Sequence, residues 1–154
     1  MLTIQPLAKA KKNSLLADEM LSAVVALASN YRKYHVNFVS YISRDGKELS
    51  GCCRYADRTI FVAVKSQDAM IVAYTVAHEL AHAILHHHWA IVHREIEAEI
   101  LGLEILALVA PNDKKLWDSL IEESLDQFEP DDTWKDRKNL ALAAMQELLE
   151  KIRQ

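Results

Sequence analysis

Between Asp68 and Leu101 the chain contains neither glycine nor proline, and from Ala69 to the C-terminus it carries only helix signals. Ser66, Gln67 and Asp68 offer caps for a long helix beginning near Ala69. Pro111-Asn112-Asp113 stops one helix and caps the next, which should run to about Phe128. Glu129-Pro130-Asp131-Asp132 breaks the chain again before a last helix from about Thr133 to Ile152. Ahead of this helical part, Leu15, Leu16, Met20, Val24 and Leu27 recur at helical spacing, so residues 14–33 read as one amphipathic helix capped by Asn13 or Ser14. Residues 35–64 read as strands. Val36, Phe38 and Val39 begin the first, and Asp45-Gly46 is a hairpin signal. Gly51 to Tyr55 is the second strand, and Thr59 to Val64 the third and most apolar. The expected fold is α+β: a helix, a small three-stranded antiparallel sheet, then helices.

Composition narrows the class. A chain of 154 residues with 51% hydrophobic and 26% charged residues suits a single domain and is too apolar for a disordered one. A net charge of −4 leaves no basic excess to release counterions, so direct nucleic-acid binding is not expected. The two cysteines, Cys52 and Cys53, are adjacent and cannot staple distant segments; they read as buried apolar filler and fit a reducing cytoplasm. The apolar stretch after Lys9, Lys11 and Lys12 contains Asp18 and Glu19, which a signal segment or membrane span would not tolerate. The expected location is therefore cytoplasmic, with no membrane contact.

Six of the seven histidines fall between His78 and His93. Within them, His78-Glu79-Leu80-Ala81-His82 is an H-E-x-x-H sequence in a helical window directly after a strand. Histidines four apart share a helix face, so both imidazoles can address one ion. Zinc accepts neutral imidazole in tetrahedral geometry and brings a bound water towards neutral pKa, and Glu79 stands where a general base would take its proton. Two imidazoles and a carboxylate also suit other divalent metals.

A catalytic site of this kind needs a third protein ligand, and three residues compete for the place. His88 lies six residues after His82, but Leu85 stands where a turning glycine would be needed. His86 shares the face of His82 yet lies about 12 Å along the axis from His78. Glu95, in Arg94-Glu95-Ile96-Glu97-Ala98-Glu99, would supply a carboxylate from a second helix. Glu99, one turn on, would then accept a hydrogen bond from the outer nitrogen of a ligand histidine, while Glu97 points to another face. In one straight helix Glu95 would lie about 20 Å from His82, so this site requires a turn at His87-His88-Trp89-Ala90-Ile91.

The run Thr75-Val76-Ala77-His78-Glu79-Leu80-Ala81-His82-Ala83-Ile84-Leu85-His86-His87 resembles the signature of the ImmA/IrrE-type metallopeptidases, and Glu95-Ile96-Glu97-Ala98-Glu99 is similar to their later Glu-x-x-Ala segment. The likeness covers roughly residues 50–110. It implies a minimal zincin-like fold with Thr59–Val64 as the active-site edge strand, a catalytic core over 14–110 and a C-terminal helical extension over 111–154. It also implies zinc held by His78, His82 and Glu95, Glu79 as general base, and a protein substrate such as a helix-turn-helix repressor. Leu101-Gly102 stand where that family usually has an aromatic followed by alanine. The Glu-x-Glu-Ala-Glu run is equally similar to the peptidase-like domain of ArdC-type antirestriction proteins, which implies the rival reading of a non-catalytic zincin-like regulator or binding protein.

Tyr41, Tyr55, Tyr74, His35 and His93 are candidate donors to a tetrahedral oxyanion, and Tyr74 shares the His78 face. Trp117, Leu120, Ile121 and Leu125 form one apolar stripe, and Leu140, Ala144, Leu148 and Ile152 form another. Such stripes serve a core or a homodimer through the C-terminal helices.

Overall fold

The computed structural model of the chain describes every residue except 65–67 and 87–91; at 9, 10, 92 and 93 only the backbone is described. The elements run β1 (Leu2–Pro6), α1 (Lys9–Leu16), α2 (Glu19–Asn30), β2 (His35–Arg44), β3 (Lys47–Glu48), β4 (Gly51–Arg54), β5 (Thr59–Ala63), α3 (Ala69–Leu85), α4 (Val92–Val109), a 3-10 turn (Pro111–Asp113), α5 (Lys114–Asp126) and α6 (Trp134–Ile152). The class is α+β, as expected. Among the described residues no helix is long and apolar enough to cross a membrane.

Among the described residues the sheet is mixed, not antiparallel throughout, and has five strands, not three. Its order is β1-β2-β5-β4, with β3 paired to the far end of β2. The difference comes from the length of β2. Its first half, His35 to Val39, lies parallel to Thr59–Ala63 of β5, while its second half pairs antiparallel with β1. The Asp45-Gly46 turn closes the short β2–β3 hairpin, with positive φ at both residues (52° and 81°), as the right-handed twist of a hairpin favours. The apolar strand β5 lies between β2 and β4, so the expectation that Thr59–Val64 forms an edge is corrected: β4 is the edge beside it. The burial of Thr59 to Val62 follows from that interior place.

The expected helix over 14–33 is two helices. Asp18 has extended backbone and its carboxylate accepts from Leu21 N at 3.0 Å, so it caps α2 and ends the preceding run. Asp68 does the same for α3, accepting from Met70 N at 3.0 Å. Helix α3 lies in the core, with Val72, Ala73, Val76, Ala77, Leu80 and Ala81 almost fully buried. Helices α5 and α6 add Trp117, Ile121, Trp134, Met145 and Leu149 to that same core. A smaller cluster of Val39, Ile42, Cys52 and Phe61 covers another part of the sheet. The inward face of α6 is Ala141, Met145 and Leu149, one position round from the expected stripe; Leu140 and Ala144 are exposed. Apolar residues occur on more than one side of α6, so periodicity alone did not choose the face.

Candidate metal centre

The site grows from the packing of α4 against α3. Helix α3 ends where His86 adopts a left-handed backbone (φ 56°, ψ 43°), a capping conformation that glycine usually supplies and that histidine reaches at some cost. The turn expected at His87–Ile91 lies outside the described residues. Helix α4 returns along α3, and Gly102 lets the two backbones approach: a Cβ there would lie 3.1 Å from His78 N and 3.2 Å from His78 Cα. On the other side of α3, Gly51 of β4 presses on the helix just as closely. A Cβ at Gly51 would meet Thr75 Cγ2 at 2.8 Å and Glu79 Cγ at 3.1 Å. Sequence reasoning did not single out either glycine for this role. The signal was there for Gly102, because a glycine inside a helix costs roughly 0.5–1 kcal/mol against alanine and so needs a packing reason.

Three ligand atoms converge between the helices. His78 Nε2 lies 3.0 Å from Glu95 Oε2, His82 Nε2 lies 3.3 Å from the same oxygen, and the two imidazole nitrogens are 3.2 Å apart. Donors bound to a tetrahedral zinc at about 2.0–2.1 Å are about 3.3–3.4 Å from one another, so this triangle fits such an ion with very small adjustment. The rings stand edge to face, centroids 4.8 Å apart. Both histidines are mostly covered, with side chains 18% and 11% exposed, while Glu95 is 51% exposed and open to solvent. Glu79 is buried and offers an oxygen within 4.8 Å of a ring nitrogen of each histidine. Two acids thus stand near the pair. Glu95 closes the triangle by direct contact, and Glu79 stands beside it.

The electrostatics separate these acids. Burial pushes the Glu79 carboxyl above its ordinary range, against the pull of His78 and His82. Hydrogen bonds first from His78 and then from His82 hold Glu95 far below that range. Burial pulls His78 downward, but its hydrogen bond to Glu95 and the charges of Glu79, Glu95 and Glu99 outweigh this and raise it. The acids around the imidazole pair thus favour positive charge at that point, whether a proton or a bound cation supplies it.

Glu99 does not do what was expected of it. Tyr74 Oη donates to Glu99 Oε1 at 3.2 Å, and His78 Nδ1 is buried with no hydrogen-bond partner among the described residues. Tyr74, one turn before His78, takes up that carboxylate oxygen instead, and its ring lies 6.1 Å from that of His78. Glu97 points away, as expected, and pairs with Arg137 of α6 at 2.8 Å. His86 is exposed at the end of α3; His88 lies outside the described residues, as does the side chain of His93. His35 is exposed on β2, and Tyr41 is half-buried there. Tyr55 is half-buried after β4, and its hydroxyl is raised by burial, then by Cys53, Glu79 and Glu95. Of these candidates, Tyr74 packs its ring beside an imidazole of the pair. Comparison of the chain with protein-family models, with curated proteins and with solved structures finds no match.

Proposed function

We propose that this chain is a zinc-dependent metallopeptidase of zincin-like arrangement, related to the ImmA/IrrE-type enzymes that its H-E-x-x-H run resembles. The observation that supports it most is the meeting of His78, His82 and Glu95 at 3.0–3.3 Å beside a buried Glu79. Zinc held by those three side chains would polarise a peptide carbonyl and ease ionisation of a water. Glu79 takes a proton from that water and passes it to the leaving amine; its burial raises its basicity, which suits both halves of the task. Gly51 lets β4 approach Glu79 closely, and β4 ends the sheet, so its outer edge is where an extended peptide would pair. The substrate is a specific protein partner in the cytoplasm, such as a helix-turn-helix repressor.

The test is Glu79→Gln. Purified without a histidine tag, wild-type and variant chains should both hold one zinc by elemental analysis. Expressed in cells, the wild type should generate new protein N-termini that the variant produces about 10²–10⁴-fold more slowly. A zinc-loaded variant that cuts the same bond at the wild-type rate would remove Glu79 from the mechanism, and a chain that binds no zinc would remove the whole reading.

A further inference from the structure

Residues on the metal-facing side of both helices continue past the site. On α3, Tyr74 and Met70 lie one and two turns before His78; on α4, Glu99 and Leu103 lie one and two turns after Glu95. Together with α5 they enclose a cavity of about 620 Å³, within the range of ligand sites. Its wall includes Met70, Ile71, Ile96 and Leu120, over the buried ring of Trp117. Met70 is 40% exposed and Ile71 58%, so apolar surface stands open at the cavity's mouth. The charged residues of the lining are all acids, Glu99, Glu123 and Asp126, and no lysine or arginine is among the described lining residues.

We infer that this cavity is a specificity pocket for a peptide segment that pairs branched apolar side chains with a lysine or arginine. The apolar walls take the first and the acidic rim attracts the second. Continuity fixes where the segment sits relative to the chemistry: Tyr74 and Glu99, joined by their hydrogen bond, form both the end of the cavity and the border of the imidazole pair. That the bound segment is also the one cleaved rests on the metallopeptidase reading; that it binds there does not.

The experiment uses the zinc-loaded Glu79→Gln chain and two dye-labelled, end-blocked alanine heptapeptides, one carrying Ile-Lys-Ile at its centre and the other Ile-Glu-Ile. Fluorescence polarisation should show the lysine peptide binding about tenfold more tightly. Adding Glu123→Lys and Asp126→Lys, both exposed positions on α5, should reverse the order. Equal affinities, or a lysine preference that survives the double reversal, would overturn the proposal. The two readings fail separately. Selective binding by a chain whose wild type cleaves nothing leaves the pocket standing and removes the peptidase; cleavage without preference does the opposite.

Discussion

On α4, Glu95 and Glu97 lie two residues apart and face different neighbours. Glu95 is 51% exposed and meets two imidazoles, groups that carry charge only when protonated. Glu97 is 3% exposed and is gripped by both terminal nitrogens of Arg137, at 2.8 and 3.2 Å. Arg137 is itself held by Asp131 and lies over the Trp134 ring. A permanent counter-charge, burial and two parallel hydrogen bonds make Glu97 a clamp between α4 and α6. An open carboxylate against titratable partners leaves Glu95 with a place that a cation can take over. The same residue type thus serves stability on one face of a helix and availability on the other.

That division can be broken by exchange. Glu95→Gln should weaken zinc binding at least about a hundredfold, because removing even an outer partner of a metal ligand costs 10–100-fold. Competition with a chromophoric chelator reads this, and the melting temperature of the metal-free chain should hardly move. Glu97→Gln should show the opposite pattern. Breaking a buried pair costs about 3–5 kcal/mol; with Arg137 a third exposed and still paired to Asp131, about 2–3 kcal/mol is expected, or roughly 5–10 °C in melting temperature. Its zinc affinity should stay within about threefold of wild type. If Glu97→Gln loses zinc as severely as Glu95→Gln, the two faces are not independent.

The smallest effect sharpens the comparison where the faces share a backbone. Gly102→Ala adds a methyl against His78 N and Cα. Overpacking of about 1–3 kcal/mol is partly offset by the helix propensity that alanine gains, about 1 kcal/mol. The net cost of up to about 2 kcal/mol should lower the melting temperature by no more than about 8 °C. Zinc affinity should fall about three- to tenfold if the displaced element carries Glu95 as a ligand, as proposed. An unchanged affinity would show that His78 tolerates movement of α4.

Much of the site was legible because it is local. His78 and His82 are four apart in a helix whose start Asp68 marks by its own side chain, and the Asp45-Gly46 turn needed only two residues to declare itself. Less of the sheet was legible. Parallel pairing of β2 with β5 depends on where a distant strand arrives, and nothing within His35–Val39 encodes it. The break at Asp18 was missed because capping competes with an apolar period that continues through it. On α6, Leu140 and Ala141 are neighbours of similar character, and only contact with α4 and α2 decided which turned inward.

By itself the sequence determined the pair of imidazoles and the acid between them, since helix geometry follows from backbone hydrogen bonds alone. The tertiary structure decided the rest of the centre. A left-handed residue at His86, with neither glycine nor proline to announce it, ends α3; Gly102 then admits α4, and Glu95 reaches both histidines. That choice rests on packing between helices, and packing is set by contacts far apart in the chain.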